Sequence, residues 1–222
     1  MLTIIPSIAS ADQLRIGEEI KKAEAAGRLH LDIEDGNFSP GITFGLDLIE
    51  QIAAVTDAEM DAHLMVTNPL FYLDPLIDLG VRSIAFHLES TMYPHECFTA
   101  IHDRGGQAGI ALNYKTNVRE VEPYLDTADY ILLQTGEAGD PDLSFRAYTW
   151  EKLGILSDLI KNAGASESHK DRTAPIGLWV DGAVRPHMFD RLVKTGVTHA
   201  VIGRAFFNGD PASLFKAARE AI

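Results

Sequence analysis

Five ionisable residues lie within reach of a shared chemistry. His30, Asp32 and Glu34 occupy alternate positions of HLDIE, His63 lies in DAHLM, and Asp181 follows LWV. Alternate side chains of an extended strand share a face, so the first three point the same way. If that face is interior, three ionisable groups in one row need compensation, because unpaired buried charge is costly. A bound cation is the simplest remedy. His30, Asp32, His63 and Asp181 together offer two imidazoles and two carboxylates. This donor set suits one divalent metal ion, Zn²⁺, Fe²⁺, Mn²⁺ or Co²⁺, without choosing among them. Each residue alone has a plainer role: a strand histidine is commonly a hydrogen-bonded core residue, and an aspartate after a strand commonly caps the next helix. The coincidence of four at strand ends is what points to a metal.

Positioning such a set requires strands that deliver their ends to one place. Eight short apolar runs recur, at residues 3–7, 29–33, 59–65, 83–88, 107–112, 130–134, 176–180 and 199–203. Helical patterns lie between them. Ile16, Ile20 and Ala23 fall at i, i+4 and i+7 with Gly27 as a stop, and Asn68-Pro69 and Asp210-Pro211 read as a capping side chain followed by a first-turn proline. Strand and helix in alternation predict a parallel sheet, and eight evenly spaced strands fit a closed (β/α)₈ TIM barrel better than an open sheet. A single barrel domain over residues 1–222 is expected. The longest strand-to-strand interval contains GEAGDPDLSFRAYTW, a candidate lid after strand 6, and the polar SESHKDR before strand 7.

The formal net charge of −13, without clustered Lys and Arg, speaks against nucleic-acid or anionic-membrane partners. A small anion is still admissible, since backbone N–H groups and one cation can hold it locally. No apolar run of membrane-spanning length occurs and MLTIIPSIAS has no basic n-region, so a soluble, cytoplasmic protein is expected. The lone Cys97 reads as a buried, inert thiol.

Five segments carry a family resemblance: PSIASAD at 6–12, HLDIEDGNFSPGITFG at 30–45, DAHLMVTNP at 61–69, WVDG at 179–182 and VIGRAFF at 201–207. From end to end the chain resembles the ribulose-phosphate 3-epimerases. The resemblance implies that His30, Asp32, His63 and Asp181 bind one divalent ion and that Ser7, His63, Met65, Gly182, Ala183, Gly203 and Arg204 contact a sugar-phosphate substrate. It also implies a homo-oligomer, with D-ribulose 5-phosphate and D-xylulose 5-phosphate as the default reactants. Inversion at C3 then passes through a cis-enediolate, with Asp32 and Asp181 as acid and base on opposite faces.

The chain departs from that pattern in two places. The family's methionine cushion keeps only Met65, with Glu34 and Gln134 at the other two positions. The glycine-rich phosphate loop after strand 6 becomes TGEAGDPDLSF, in which Glu137, Asp140 and Asp142 would repel a phosphate they faced. Ala183 replaces a glycine, and Arg204 replaces a small hydroxyl residue and could compensate through bidentate binding. Two alternatives follow: an epimerase of an unphosphorylated or carboxylated sugar, and a non-catalytic sugar-phosphate-binding barrel.

Overall fold

Alternation of buried faces organises the molecule. In β2 (Arg28–Glu34), Leu29, Leu31 and Ile33 belong to the large apolar cluster between strands and helices, while His30 and Asp32 face the barrel axis. The axis is filled by a second cluster, Ile5, Ala85, Ala111, Tyr130, Leu132 and Trp179. Each Ile, Leu or Val side chain so buried contributes about 1.5–3 kcal/mol. The computed structural model describes residues 1–137, 144–165 and 174–222.

Among the described residues, the strands are β1 (Thr3–Pro6), β2, β3 (Glu59–Met65), β4 (Ser83–His87), β5 (Gln107–Leu112), β6 (Tyr130–Gln134), β7 (Gly177–Asp181) and β8 (His199–Ile202). They pair in parallel in the order β1-β8-β7-β6-β5-β4-β3-β2. An isolated parallel bridge, Ser7 to His30, joins β1 to β2 and closes the ring. The chain is thus a (β/α)₈ TIM barrel, with three strands matching expectation to the residue and the other five within one residue of it at each end. Register aligns His30 with Asp61, Asp32 with His63, and Gln134 with Asp181, which brings the chemistry-bearing ends level.

The helices are α1 (Ile16–Ala23), α2 (Leu46–Ala53), α3 (Leu70–Asp78), α4 (Pro94–His102), α5 (Thr149–Gly164), α6 (Phe189–Lys194), α7 (Arg204–Phe207) and α8 (Pro211–Glu220). Gly27 terminates the first crossover at φ 68°, where an L side chain would be strained. Asp210 caps α8, accepting from the N–H groups of Ala212 and Ser213 ahead of a first-turn proline. The parallel expectation for Asn68 fails. Helix α3 starts after Pro69, which itself occupies the N-cap position with no side-chain cap, so neither the Asn68 cap nor the first-turn proline is realised. The fifth crossover also departs from the repeat: it is a 3₁₀ segment, Val118–Tyr124, capped by Asn117 and interrupted by Pro123, which has no N–H to continue an α-helical ladder. Asp140, Asp142 and the SESHKDR stretch lie outside the described residues.

Candidate metal centre and active site

His30 and Asp32 from β2, His63 from β3 and Asp181 from the last position of β7 each offer a ligand atom, all within 4.8 Å of one another. His30 and His63 are fully buried, and Asp32 is 7% exposed. His30 Nε2 lies 3.2 Å from Asp32 Oδ1 and 4.0 Å from Asp181 Oδ2, and His63 Nδ1 lies 3.3 Å and 3.1 Å from the same two oxygens. Ser7 Oγ donates to the other oxygen, Asp32 Oδ2. His30 Nε2 and Asp32 Oδ1 are buried without a hydrogen bond, which is the state expected of atoms meant for a cation. Two nitrogens and two carboxylate oxygens fit a divalent ion of the zinc, iron, manganese or cobalt type.

Electrostatics agree with this fit. Burial alone would push His30 toward neutrality, but Asp32 and Asp61 outweigh it and raise the imidazole well above its ordinary value. His63 is likewise raised against burial by Asp181 and Asp32. Asp32 is held far below the usual carboxylate range despite burial, through His30 and His63. Without metal, the site therefore gathers protons where an ion would sit.

The supporting residues were harder to foresee. His30 Nδ1 lies 2.5 Å from Asp61 Oδ1. His63 Nε2 lies 2.9 Å from His87 Nε2, whose Nδ1 lies 3.0 Å from Glu89 Oε2. Strand parity carried a usable signal, since Asp61 precedes His63 by two and His87 follows Ala85 by two. Burial pushes His87 down to about 4, with the Glu89 hydrogen bond opposing. Burial would raise Glu89, yet hydrogen bonds from His87 and Thr116 hold its carboxyl below the ordinary range.

Above the centre opens a cavity of about 570 Å³. Ser7, Asp32, Met65 and Asp181 line its floor, and Gly182, Ala183, Gly203 and Arg204 line another part. Every residue expected to contact substrate lines this cavity except His63, which lies fully buried at the metal centre. Arg185 and Asn208 also line the cavity and were not anticipated. Ala183, in the position of a family glycine, adopts φ 50°, and it is the one non-glycine residue at positive φ among those described. Glu34 does not bend away to solvent. It lines the cavity, Ser39 Oγ donates to its Oε2 at 2.5 Å, and burial raises its pKa. Gln134 lines the floor with its Oε1 buried and unpaired, while its amide nitrogen meets Met65 Sδ at 3.2 Å. Glu137 is exposed and also lines the cavity.

Comparisons with known proteins address the same architecture. A model of the ribulose-phosphate 3 epimerase family matches residues 3–207. Ribulose-phosphate 3-epimerase of Mycobacterium tuberculosis is 31% identical over 217 residues, 97% of this chain and 91% of that protein. The Bacillus subtilis protein of the same name is 31% identical over 209 residues, 93% of each. The Aquifex aeolicus one is 30% identical, covering 93% of this chain and 90% of its own. Among solved structures, orotidine 5′-phosphate decarboxylase from Pyrococcus horikoshii aligns with a TM-score of 0.67 at 13% identity over 98% of this chain and all of its own. 3-Keto-L-gulonate-6-phosphate decarboxylase from Vibrio cholerae aligns with a TM-score of 0.69 at 10% identity over 99% and 96%. These two speak to the barrel alone. The sequence matches speak to descent, and the chain belongs to the ribulose-phosphate 3-epimerase family.

Proposed function

We propose that this chain is a metal-dependent 3-epimerase of a ketose phosphate, with D-ribulose 5-phosphate and D-xylulose 5-phosphate as the default pair. The supporting observation is the convergence of His30, Asp32, His63 and Asp181 within 4.8 Å beneath an open cavity. A bound divalent ion would supply Lewis-acid stabilisation of negative charge developing on the sugar oxygens.

The chain's own residues handle the proton. A C3–H beside a C2 ketone is acidified, and inversion requires removal from one face and return at the other. One carboxylate cannot reach both faces. Asp32 takes one and Asp181 the other, exchanging the roles of base and acid when the direction reverses. The Ser7 hydroxyl fixes one Asp32 oxygen, and the neighbouring imidazoles keep this carboxylate ionised and ready to accept. Ser7, His63 and Met65 orient the reacting end of the sugar, while Gly182, Ala183, Gly203 and Arg204 receive its anionic end. The reading extends to one domain over 1–222, assembled as a homo-oligomer in the cytoplasm. Among the described residues no helix is long and apolar enough to cross a membrane.

Solvent deuterium wash-in tests the chemistry. Metal-loaded protein should incorporate deuterium at C3 of a pentulose phosphate, and absence of exchange into every pentulose and hexulose phosphate tried would refute the assignment. Glu137 on the cavity wall, which opposes a phosphate dianion, and Arg204, which can take a carboxylate, favour a second reading in which the distal group is uncharged or a carboxylate. Turnover of matched phosphorylated and free ketoses separates the two.

A further inference from the structure

Glu89 follows β4 in the 3₁₀ turn Leu88–Ser90 and does not line the cavity. Its Oε1 accepts from the Asn113 N–H at 2.8 Å and from Thr116 Oγ. Its Oε2 faces His87 Nδ1 at 3.0 Å. An ionised carboxylate only accepts, so His87 Nδ1 carries the proton. A neutral imidazole has one N–H, which leaves His87 Nε2 bare. That atom lies 2.9 Å from His63 Nε2, and two bare nitrogens do not meet at hydrogen-bond distance, so His63 Nε2 carries its proton. The lone pair of His63 is thereby left on Nδ1, the nitrogen that faces Asp32 and Asp181.

Solvent reaches the outer end of this chain at Glu89, which is exposed, but not the two imidazoles. His63 and His87 are fully buried, their rings stack at 5.0 Å, and Phe38 covers His87 at 4.5 Å. We propose that Glu89, acting through His87, is a positioning residue that sets the tautomer of His63 and so presents Nδ1 to the metal. It rests on the metal-centre reading given above. Asp61 does the same for His30 directly, leaving the opposite nitrogen, Nε2, as the ligand.

Glu89→Gln makes the polarity of the chain testable at constant shape. The two donors Asn113 N–H and Thr116 Oγ hold the amide oxygen, which turns the amide NH₂ toward His87 Nδ1. His87 must then protonate Nε2 and donate to His63 Nε2, which leaves a proton on His63 Nδ1 where the ion should bind. The measurement is Co²⁺ affinity of the full chain by chelator competition, followed through visible absorption. Glu89→Gln should weaken Co²⁺ about 10–100-fold, the range for residues behind a metal ligand. In a His87→Phe background, which keeps the stacked ring but cuts the chain, the same change should have no further effect.

Wild-type Co²⁺ affinity in Glu89→Gln, or an equal loss in both backgrounds, overturns the proposal. Failure of the wild type itself to bind Co²⁺ overturns the metal-centre reading and the proposal with it, and is recognised because no variant is needed to see it. Should the variants not fold, imidazole ¹⁵N shifts of the Zn²⁺-loaded wild type decide. Protonated His63 Nε2 and His87 Nδ1 are expected, and the reverse pattern refutes the assignment.

Discussion

The two ends of the barrel face the same electrostatic problem and solve it differently. At the N-terminal end, Arg28 pairs with Glu59 and lies 3.5 Å from Asp61 Oδ2 through Nε, donates to Ser83 at 3.2 Å, and stacks over Trp179 at 5.3 Å. Trp179 in turn stacks on Tyr130 and His199 at 4.2 and 4.3 Å. Here the cation is part of the chain, and aromatic rings seal it. At the C-terminal mouth, Asp32 and Asp181 meet two imidazoles and, among the described residues, no Lys or Arg ion pair; buried polar atoms without a hydrogen bond occur at both ends, Arg28 Nε and Asp61 Oδ2 at the floor and His30 Nε2 and Asp32 Oδ1 at the mouth. A fixed cation gives a sealed floor, whereas a site left to recruit its cation stays open to substrate. Asp61 links the two ends, facing Arg28 on one side and His30 on the other.

The sharpest way to break this contrast is at the mouth. Asp181→Asn should lower C3 exchange by about 10²–10⁴-fold, the usual contribution of a positioned acid or base, while urea denaturation of the metal-free protein stays near that of the metal-free wild type. A variant that unfolds instead would make Asp181 a structural group like those at the floor. The converse cut is Arg28→Met, which strands Asp61 beside a fully buried His30. A loss of about 3 kcal/mol in urea unfolding is expected, since removing one partner of a buried pair is strongly destabilising. Stability unchanged by that substitution would remove Arg28 from the role given to it.

Metal removal addresses the recruited cation directly. At an ion concentration 100 times Kd, loading should add about 2.7 kcal/mol to stability. The pH dependence has a definite sign. In the metal-free protein His30 and His63 have raised folded pKa values, so their contribution is complete below the unfolded value near ~6.5 and is lost as pH rises through the folded values. Calorimetry should find the chelated protein softening as pH climbs above about 6.5, with Zn²⁺-loaded protein holding its midpoint. Equal pH dependence with and without Zn²⁺ would contradict a shared site for ion and protons.

The smallest effect concerns the wall of the cavity. Ala183 at φ 50° sits in a region costing an L-residue about 1–2 kcal/mol, so Ala183→Gly should stabilise the fold. The greater freedom of glycine in the unfolded chain offsets part of this, and a net gain of about 1 kcal/mol or less in thermal unfolding is expected.

Much of this architecture was legible from the residues. Period-two alternation in HLDIE put His30 and Asp32 inside, and the spacing of apolar runs located every strand. The His63–His87–Glu89 chain was legible only in part, because parity puts His87 on the inner face of its strand but does not say which neighbour it meets. Its meaning depends on β3 and β4 lying side by side in the register that pairs His63 with Ala85. The 3₁₀ form of the fifth crossover has a local reason: Pro123 denies it an α-helical ladder, and apolar spacing alone does not report a missing donor. Asn68 beside Pro69 resembled Asp210 beside Pro211, yet one caps and the other does not, since capping depends on where the first turn begins.

Among the described residues, the bridge from Ser7 to His30 is the one backbone pairing between the first and second staves, joined there by the Ser7 to Asp32 hydrogen bond. On one flank of this seam stand His30, Asp32 and His63; on the other, past β1 and β8, stands Asp181. An ion held by all four would act as a clasp across the least-stitched joint of the cylinder. Its loss would then leave β1 held more weakly, and because Ser7 at the end of that strand is the hydroxyl that steadies Asp32, emptying the centre would also unseat the base.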